Sequence, residues 1–327
     1  MQTIDMHVHL LSSKVRFDRL YDKMAIKLFG KKLGLEYEKA KLDPYQAYTD
    51  ALIGSIRDSR HILKVALFGV DSKISHHGDE LHRDATVCAT NEDVYQLYKN
   101  NEDVIVPFFS INPARLDALD LIDQYSELGF RGAKFLQNYW GVDTRDKKYS
   151  KYFQKLSDKK IPLIVHIGSE SSVHSVKSCE CISMLDAPLY HGVLTIAAHM
   201  GLSYSWHKPI KAISKNPKHF PQEYFKLLDM LKHHPNLYAD ISALLTPVRA
   251  KVLPHLSNQD QVSDKLLFAT DYPVPFSAIF TSYDLPFSKR FEIEKEENPF
   301  DRYAKAILEY FPKNHSLYDN HKKLIVV

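Results

Sequence analysis

The sequence predicts a (β/α)8 barrel, and three observations lead to that fold class. Eight short apolar runs rich in β-branched residues are spaced along the chain, with amphipathic helical patterns between them. The runs are almost continuously apolar, as expected for parallel strands covered on both faces. No glycine-rich phosphate-binding loop follows any run, which favours the barrel over the alternative of a doubly wound open sheet.

The eight predicted strands extend over most of the chain. They lie at 3–10, 62–70, 104–111, 130–136, 162–167, 194–200, 236–242 and 266–270. Insertions at 11–42, 202–220 and 276–297 each follow the carboxyl end of a strand. Barrel enzymes build their active sites at that end. We therefore interpret residues 1–327 as a single domain, a barrel with insertions on its active-site face.

Capping patterns predict where several of the intervening helices begin. Residues 90–93, Thr-Asn-Glu-Asp, have the spacing of a capping box. The Asn-Pro pair at 112–113 predicts the start of a helix that turns Leu116 inward, and a second Asn-Pro pair at 298–299 predicts the last helix. The apolar spacing over 222–232 predicts another helix between the sixth and seventh strands.

Composition and charge narrow the classes of partner. Of the 327 residues, 44% are hydrophobic and 25% charged, and the net charge is only +3, so we expect neither nucleic acid nor a membrane surface as a partner. No apolar run approaches the roughly 18 residues of a membrane span. No secretory signal is visible, and three cysteines form no disulfide framework, so a cytoplasmic protein is expected. A small-molecule substrate is the expected partner, and a homo-oligomer stays open.

The first predicted strand ends with two histidines that can bind a metal together. It reads Asp5-Met6-His7-Val8-His9, and residues two apart on a strand point to the same face. His7 and His9 should therefore face the barrel mouth, and two imidazoles on one rigid strand are a good half of a zinc or iron site.

Three further strands follow the same pattern. The fifth ends in His166, the sixth in His199 and the eighth in Asp271, each after an apolar run. An ionisable side chain in such a position is costly unless it is paired or metal-bound. A single histidine of this kind would be better explained as a core residue bonded to a carbonyl. The four strands together predict a shared metal site.

The fourth strand carries Lys134 within its apolar run. A lysine in that position must reach water, an anion or a modification. Two interpretations follow from the residue alone. The favoured one is an unmodified cation that binds a substrate carboxylate at the barrel mouth. The alternative is a carbamylated lysine that bridges two metal ions.

These motifs resemble the amidohydrolase superfamily, most closely its amidohydrolase-related (amidohydrolase 2) branch of metal-dependent hydrolases and decarboxylases. The order His-x-His, His, His, Asp across the strands carries the resemblance. Matching segments extend over nearly the whole chain, at 4–9, 112–113, 132–134, 166, 199–201, 238–242, 270–273, 298–300 and 320–324. Lys134 is a departure from the decarboxylase members, and Ala269 stands where glycine is usual.

The resemblance implies one divalent metal held by His7, His9, His166 and Asp271, with His199 beside it as an acid/base group. Zinc is expected from this donor set, and manganese or iron would also fit. If Lys134 were carbamylated, the site would hold two ions, with His166 and His199 on the second.

The expected activity is that of a metal-dependent hydrolase acting on a carbonyl, an amide, lactone or related group, of a small carboxylate-bearing substrate. A metal-bound hydroxide would attack the carbonyl, with Asp271 moving the proton and His199 stabilising the developing oxyanion. Arg115 or Lys134 would bind the substrate carboxylate. Trp140 and Trp206, in the loops after the fourth and sixth strands, are candidate walls of the substrate pocket.

Three alternatives remain open at this stage. A decarboxylase of the aminocarboxymuconate-semialdehyde type would use the same metal and His199 to protonate a carbanion-like carbon. A nuclease similar to TatD also begins with His-x-His, but such enzymes carry Glu where this chain has Lys134. A catalytically silent barrel would require a missing ligand, and none is missing.

Overall fold

Eight parallel strands form one sheet and confirm the predicted (β/α)8 barrel. The structure is a computed structural model that describes residues 2–16, 27, 30–169, 173–204, 213–282 and 284–325. Its strands are β1 Thr3–His9, β2 Ile62–Phe68, β3 Lys73–Ile74, β4 Glu80–His82, β5 Ile105–Phe109, β6 Gly132–Phe135, β7 Leu163–Val165, β8 Thr195–Ala197, β9 Leu237–Asp240 and β10 Leu266–Leu267. The barrel contains all of them in chain order except β3 and β4, which pair as a separate antiparallel hairpin.

The barrel closes between β1 and the segment that follows β10. The N–H of Met6 donates to the carbonyl of Phe268 at 3.0 Å, and the N–H of His9 donates to the carbonyl of Tyr272 at 2.9 Å. Val8 and Tyr272 form a parallel bridge. The end of the eighth strand therefore lies directly beside the His-x-His motif of the first.

The barrel strands are buried on both faces, as their continuous apolar runs predict. Alternate residues, such as Phe108 and Ile164, form a cluster inside the barrel, whereas their neighbours pack against the surrounding helices. Gly132 makes room for this interior packing, because a Cβ on it would lie 2.2 Å from the ring of Phe108. A side chain at the end of such a strand is held by packing on both sides.

A β-bulge in β1 determines which side chains of the first strand face the interior. Asp5 pairs with Val65 and Val8 with Leu67, so the register with β2 shifts between them. Met6 belongs to the interior cluster, whereas Val8 belongs to the outer layer. An extra residue in one strand changes the face of the sheet to which the following side chains point. After the bulge, His7 and His9 have the same parity and lie on the interior side.

The described helices cover the outer face of the barrel and the loops at its carboxyl end. They are α1 Tyr37–Leu42, α2 Pro44–Arg57, α3 Asn91–Lys99, α4 Ala118–Glu127, α5 Gln137–Trp140, α6 Ser150–Asp158, α7 Asp186–Tyr190, α8 Gln222–His233, α9 Leu253–Leu256, α10 Ala278–Thr281, α11 Phe287–Glu294 and α12 Pro299–Leu308. The capping box at Thr90 and Asp93 and the cap at Asn298 are confirmed by their hydrogen bonds.

Two sequence-based expectations about local structure are wrong. The helix predicted from Asn112-Pro113 begins only at Ala118, and Leu116 is 85% exposed rather than inward-facing. The intervening turn is fixed by tertiary bonds, because Asp71 accepts a hydrogen bond from the N–H of Asn112 at 2.8 Å and binds Arg115. The short hairpin of β3 and β4 has no clear sequence signal.

No helix in the described part of the chain is long and apolar enough to cross a membrane.

Candidate metal centre

His7, His9 and Asp271 come together at the carboxyl end of the barrel. One ligand atom from each lies within 4.8 Å of the other two. Asp271 Oδ1 is 3.4 Å from His7 Nε2 and 3.3 Å from His9 Nε2. His7 is fully buried, whereas the side chain of His9 is 20% exposed, so the group is accessible from the His9 side.

Asp240 contacts the His7 ring on its Nδ1 side. Its Oδ2 lies 2.8 Å from His7 Nδ1, and both side chains are fully buried. The other ring nitrogen of His7, Nε2, is the one that lies 3.4 Å from Asp271 Oδ1. This carboxylate–histidine arrangement is the usual support of a metal-binding imidazole.

His199 lies next to His7 and is held by Ser242. The two imidazole centroids are 5.1 Å apart. His199 Nδ1 is 2.8 Å from Ser242 Oγ and 3.1 Å from the Ser242 carbonyl oxygen. It is also 3.8 Å from Asp271 Oδ2. His199 therefore adjoins the group of His7, His9 and Asp271 without belonging to it.

The backbone at two of these positions is strained. His199 has φ of 57° and Asp271 has φ of 69°, both in the left-handed region that residues other than glycine rarely adopt. Hydrogen bonds within the site hold them there. The N–H of Asp271 donates to the carbonyl of His7 at 2.9 Å, and the N–H of His199 donates to Asp240 at 2.8 Å. Strain of this kind persists where surrounding bonds fix it and is frequent at functional sites.

Burial and neighbouring charge keep the two interior imidazoles neutral. Burial, together with the positive charge of Lys134, lowers the pKa of His7 well below its usual value. Burial and the charge of Arg249 do the same to the pKa of His199. Burial raises the pKa of Asp240, while hydrogen bonds from Ser242 and the His199 N–H oppose that rise. Neutral imidazoles are the form that binds metal ions.

Lys134 lies inside the barrel next to Nε2 of His7. Its Nζ is 3.1 Å from His7 Nε2 and 5.3 Å from the centre of the Phe68 ring, and the residue is fully buried. The structure thus places Lys134 at the centre. Its two interpretations, an unmodified cation and a carbamylated bridge, stay predictions.

His166 lies beside His199 and is not part of the group formed by His7, His9 and Asp271. Its ring packs edge-on against His199 with centroids 5.0 Å apart, and it is 1% exposed. The structure therefore places His166 in the same cluster of imidazoles. Its role as a fourth metal ligand stays a prediction.

Two residues predicted to bind substrate, Arg115 and Trp140, contact the loop after β2, and their role in substrate binding stays a prediction. Arg115 donates two hydrogen bonds to the carboxylate of Asp71, which follows β2. Its Nε lies at 2.5 Å and its Nη2 at 2.7 Å from the two carboxylate oxygens. Trp140 is only 6% exposed and donates from its indole to the carbonyl of Asp71 at 2.8 Å. Both side chains thus hold the loop after β2. Trp206 lies outside the described residues.

Sequence reasoning gave no role to Asp5, Asp240 or Ser242. Asp240 ends the apolar run of β9, the same signal that pointed to Asp271, and could have been found in that way. Asp5 accepts hydrogen bonds from the N–H and the hydroxyl of Thr270, at 3.0 and 2.6 Å. Burial raises the pKa of Asp5 to about 7. Its contact with Thr270 depends on barrel closure, which no local pattern shows.

A closed barrel with imidazoles and a carboxylate at its carboxyl end is the arrangement of a metal-dependent barrel enzyme. The model of the Amidohydrolase family (Amidohydro_2) matches residues 4–291. The chain therefore belongs to this family, as the sequence motifs indicated, and is in general terms a metal-dependent enzyme of the amidohydrolase family. None of the curated proteins matches the chain.

Solved structures support the fold. An uncharacterized TIM-barrel protein from Bordetella bronchiseptica is 17% identical, with a TM-score of 0.57, 94% of this chain covered and 99% of that one. An amidohydrolase from Burkholderia multivorans with bound zinc is 13% identical, with a TM-score of 0.53 and 99% of each chain covered. Amidohydrolase 2 from Bifidobacterium longum subsp. infantis is 13% identical, with a TM-score of 0.50, and 99% and 98% of the two chains are covered.

Proposed function

We propose that this chain is a metal-dependent hydrolase. It would hydrolyse an amide, lactone or related carbonyl compound that is small and bears a carboxylate. The observation that carries the proposal is the approach of one ligand atom each from His7, His9 and Asp271 to within 4.8 Å of one another. His7 and His9 lie in β1, and Asp271 lies in the segment after β10, the eighth strand of the barrel. The closure of the barrel brings these two segments together.

The donor set fits a divalent cation. Two imidazole nitrogens and a carboxylate oxygen suit zinc, and they would also accept manganese or iron. His166 is the proposed fourth ligand, since its buried ring lies beside His199 on the same rim. The zinc bound by the Burkholderia amidohydrolase agrees with this choice of metal. A single ion is proposed, because the ammonium group of an unmodified Lys134 has no lone pair with which to bind a second one.

When bound, a divalent cation makes a water ligand acidic and polarises a carbonyl oxygen. The chain's own residues supply the remaining chemistry. Asp271 accepts the proton of the attacking water and passes it to the leaving group. His199 lies beside Asp271 and, once it has taken up a proton, stabilises the negative charge that develops on the carbonyl oxygen. Lys134 offers a buried ammonium group to a substrate carboxylate.

Product analysis is the test that separates this proposal from its alternatives. Purified protein, stripped with a chelator and reloaded with zinc, manganese or iron, should be assayed against lactones, cyclic amides and aromatic or muconate-like acids. Zinc-dependent ring opening or amide cleavage would support the proposal. Release of CO2 without such cleavage would replace it with the decarboxylase. Metal-dependent cleavage of DNA, inhibited by salt, would replace it with the nuclease.

A further inference from the structure

The described residues contain a buried polar unit that joins the two central histidines. Asp240 ends β9, and Ser242 follows two residues later; both are fully buried. The Ser242 hydroxyl donates to Asp240 Oδ1, and its oxygen lies 2.8 Å from His199 Nδ1 and 3.2 Å from His7 Nδ1. One carboxylate is thus connected to both imidazoles, directly to His7 and through a hydroxyl to His199.

We propose that Asp240 and Ser242 form a positioning pair that keeps the proton of both His7 and His199 on Nδ1. This inference rests on the proposed function for its purpose, because it leaves Nε2 of each ring without a proton. A metal ion or a reacting proton can then bind there, on His7 in place of the contact with Lys134. Neither Asp240 nor Ser242 is proposed as a ligand or as a catalytic residue.

The argument for His7 follows from what its neighbours can donate. A carboxylate has no proton to give, so the contact of 2.8 Å between Asp240 Oδ2 and His7 Nδ1 requires a proton on that nitrogen. On the opposite side of the ring, Lys134 Nζ lies 3.1 Å from Nε2, and an ammonium group only donates. Both contacts assign the same tautomer.

The argument for His199 uses the single proton of the Ser242 hydroxyl. That proton is committed to Asp240, so Ser242 Oγ accepts from His199 Nδ1. The carbonyl oxygen of Ser242, 3.1 Å from the same nitrogen, also only accepts. His199 therefore carries its proton on Nδ1 and presents a bare Nε2.

The tautomer of His199 has a consequence for its chemistry. In its neutral state it is a proton acceptor at Nε2 and becomes a donor there only after it has received a proton. Asp240 also accepts the N–H of His199 at 2.8 Å and so fixes the backbone of that residue. The pair thus sets both the position and the proton placement of His199, whichever reaction follows.

Histidine ring NMR tests the assignment directly. Full-length protein labelled with 15N-histidine should be studied at neutral pH, both as purified and after chelator treatment, because protonated and bare ring nitrogens have well-separated shifts. Difference spectra against His7→Gln and His199→Gln assign the two rings. Both should show protonated Nδ1 and bare Nε2 in the chelator-treated protein. A protonated Nε2 on either ring would overturn the proposal.

Two variants test the pair itself. Ser242→Ala should change the ring signals of His199 while His7 keeps its tautomer, since the bond from His7 to Asp240 remains. Asp240→Asn should weaken zinc binding about 10- to 100-fold in a chelator competition. Ser282→Ala is the control: Ser282 is fully buried, and its hydroxyl has no hydrogen-bond partner within the described ranges. Unchanged His199 signals in Ser242→Ala, or unchanged zinc affinity in Asp240→Asn, would contradict the proposal.

The two proposals fail in different ways. If the wild-type protein binds no metal, the proposed function fails, whereas the ring spectra of the metal-free protein still decide the positioning. If zinc binds through His7, His9 and Asp271 while either ring is protonated on Nε2, the positioning pair alone is wrong.

Discussion

The carboxylate of Asp5 and the hydroxyl of Thr270 are joined by a buried hydrogen bond of 2.6 Å. A second bond, from the Thr270 N–H at 3.0 Å, completes the contact. Asp5 precedes the bulge of the first strand, and Thr270 immediately precedes Asp271. The contact therefore ties the two ends of the barrel together and fixes the left-handed turn at Asp271 that presents its carboxylate to the histidines.

Thr270→Val should destabilise the protein and disturb the metal centre together. The substitution keeps the shape but leaves a buried carboxylate oxygen without its donor, which costs about 1–3 kcal/mol. Chemical denaturation measures the stability, and chelator competition measures zinc affinity. Thr49→Val is the matched control, because the equally buried hydroxyl of Thr49 bonds only to carbonyls of its own helix, at 3.1 Å. Equal effects of the two substitutions would argue against the contact.

Asp271→Asn should lower the metal content and abolish turnover while the fold is retained. The amide has nearly the same shape as the carboxylate, but it brings no negative charge to the cation and cannot accept a proton from water. Metal analysis, circular dichroism and the substrate panel check the three parts of this expectation. His9→Gln should likewise lower metal content. Asp143→Asn, on an exposed side chain paired with Arg145, should leave all three unchanged. Full activity of Asp271→Asn would refute its role.

The barrel itself is predictable because each strand carries its signal locally. Continuous apolar runs locate all eight strands, although the predicted ends are too long where the parallel pairing stops, as at 266–270 against Leu266–Leu267. The sequence also singles out His7, His9 and Asp271 as candidate site residues, because an ionisable group at the end of a buried strand is unusual.

The remaining parts of the site depend on contacts between distant segments. The bulge between Asp5 and Val8 comes from pairing with β2 and leaves no mark in the sequence of β1. The sequence alone could not show that Arg115 contacts Asp71, which lies in another loop. A residue type shows what a side chain can bind, whereas the tertiary structure decides which partner reaches it.

Lys134 should prove unmodified, with about one metal ion bound per chain. The buried Nζ of Lys134 lies 3.1 Å from His7 Nε2. An unmodified Lys134 is therefore a cation next to the proposed ion. Metal analysis of protein grown with excess zinc gives the stoichiometry, and labelling with 13C-bicarbonate shows any carbamate by NMR. Lys134→Met provides the control for the origin of a carbamate signal. A carbamate signal absent from Lys134→Met, together with about two ions per wild-type chain, would establish the bridging lysine instead.

His321 should make the fold sensitive to mild acid. Burial lowers the pKa of His321 to about 4, below the usual histidine value of 6.5. The unfolded chain therefore binds a proton that the folded chain excludes between these two values. The stabilisation is present above pH 6.5 and is lost as the pH falls toward 4, at about 1 kcal/mol per pH unit.

Denaturation of the wild type and His321→Asn at several pH values measures that contribution. The variant should show a shallower loss of unfolding free energy between pH 6.5 and 4, since asparagine does not titrate there. His233→Asn serves as the control, because the His233 side chain is 70% exposed. If the pH dependence of His321→Asn equals that of the wild type, the buried neutral imidazole is not the cause.

Arg115→Gln distinguishes a structural arginine from a substrate anchor. Asp71 receives both the Nε and Nη2 hydrogen bonds of Arg115 and also accepts the N–H of Asn112. The substitution leaves this largely buried carboxylate with only the more distant cation of Arg83, 3.8 Å away. We expect a loss of about 1–3 kcal/mol in the free energy of unfolding and little change in KM. Arg145→Gln breaks an exposed pair with Asp143 and should cost at most about 1 kcal/mol. A large rise in KM with unchanged stability would instead show that Arg115 binds the substrate carboxylate.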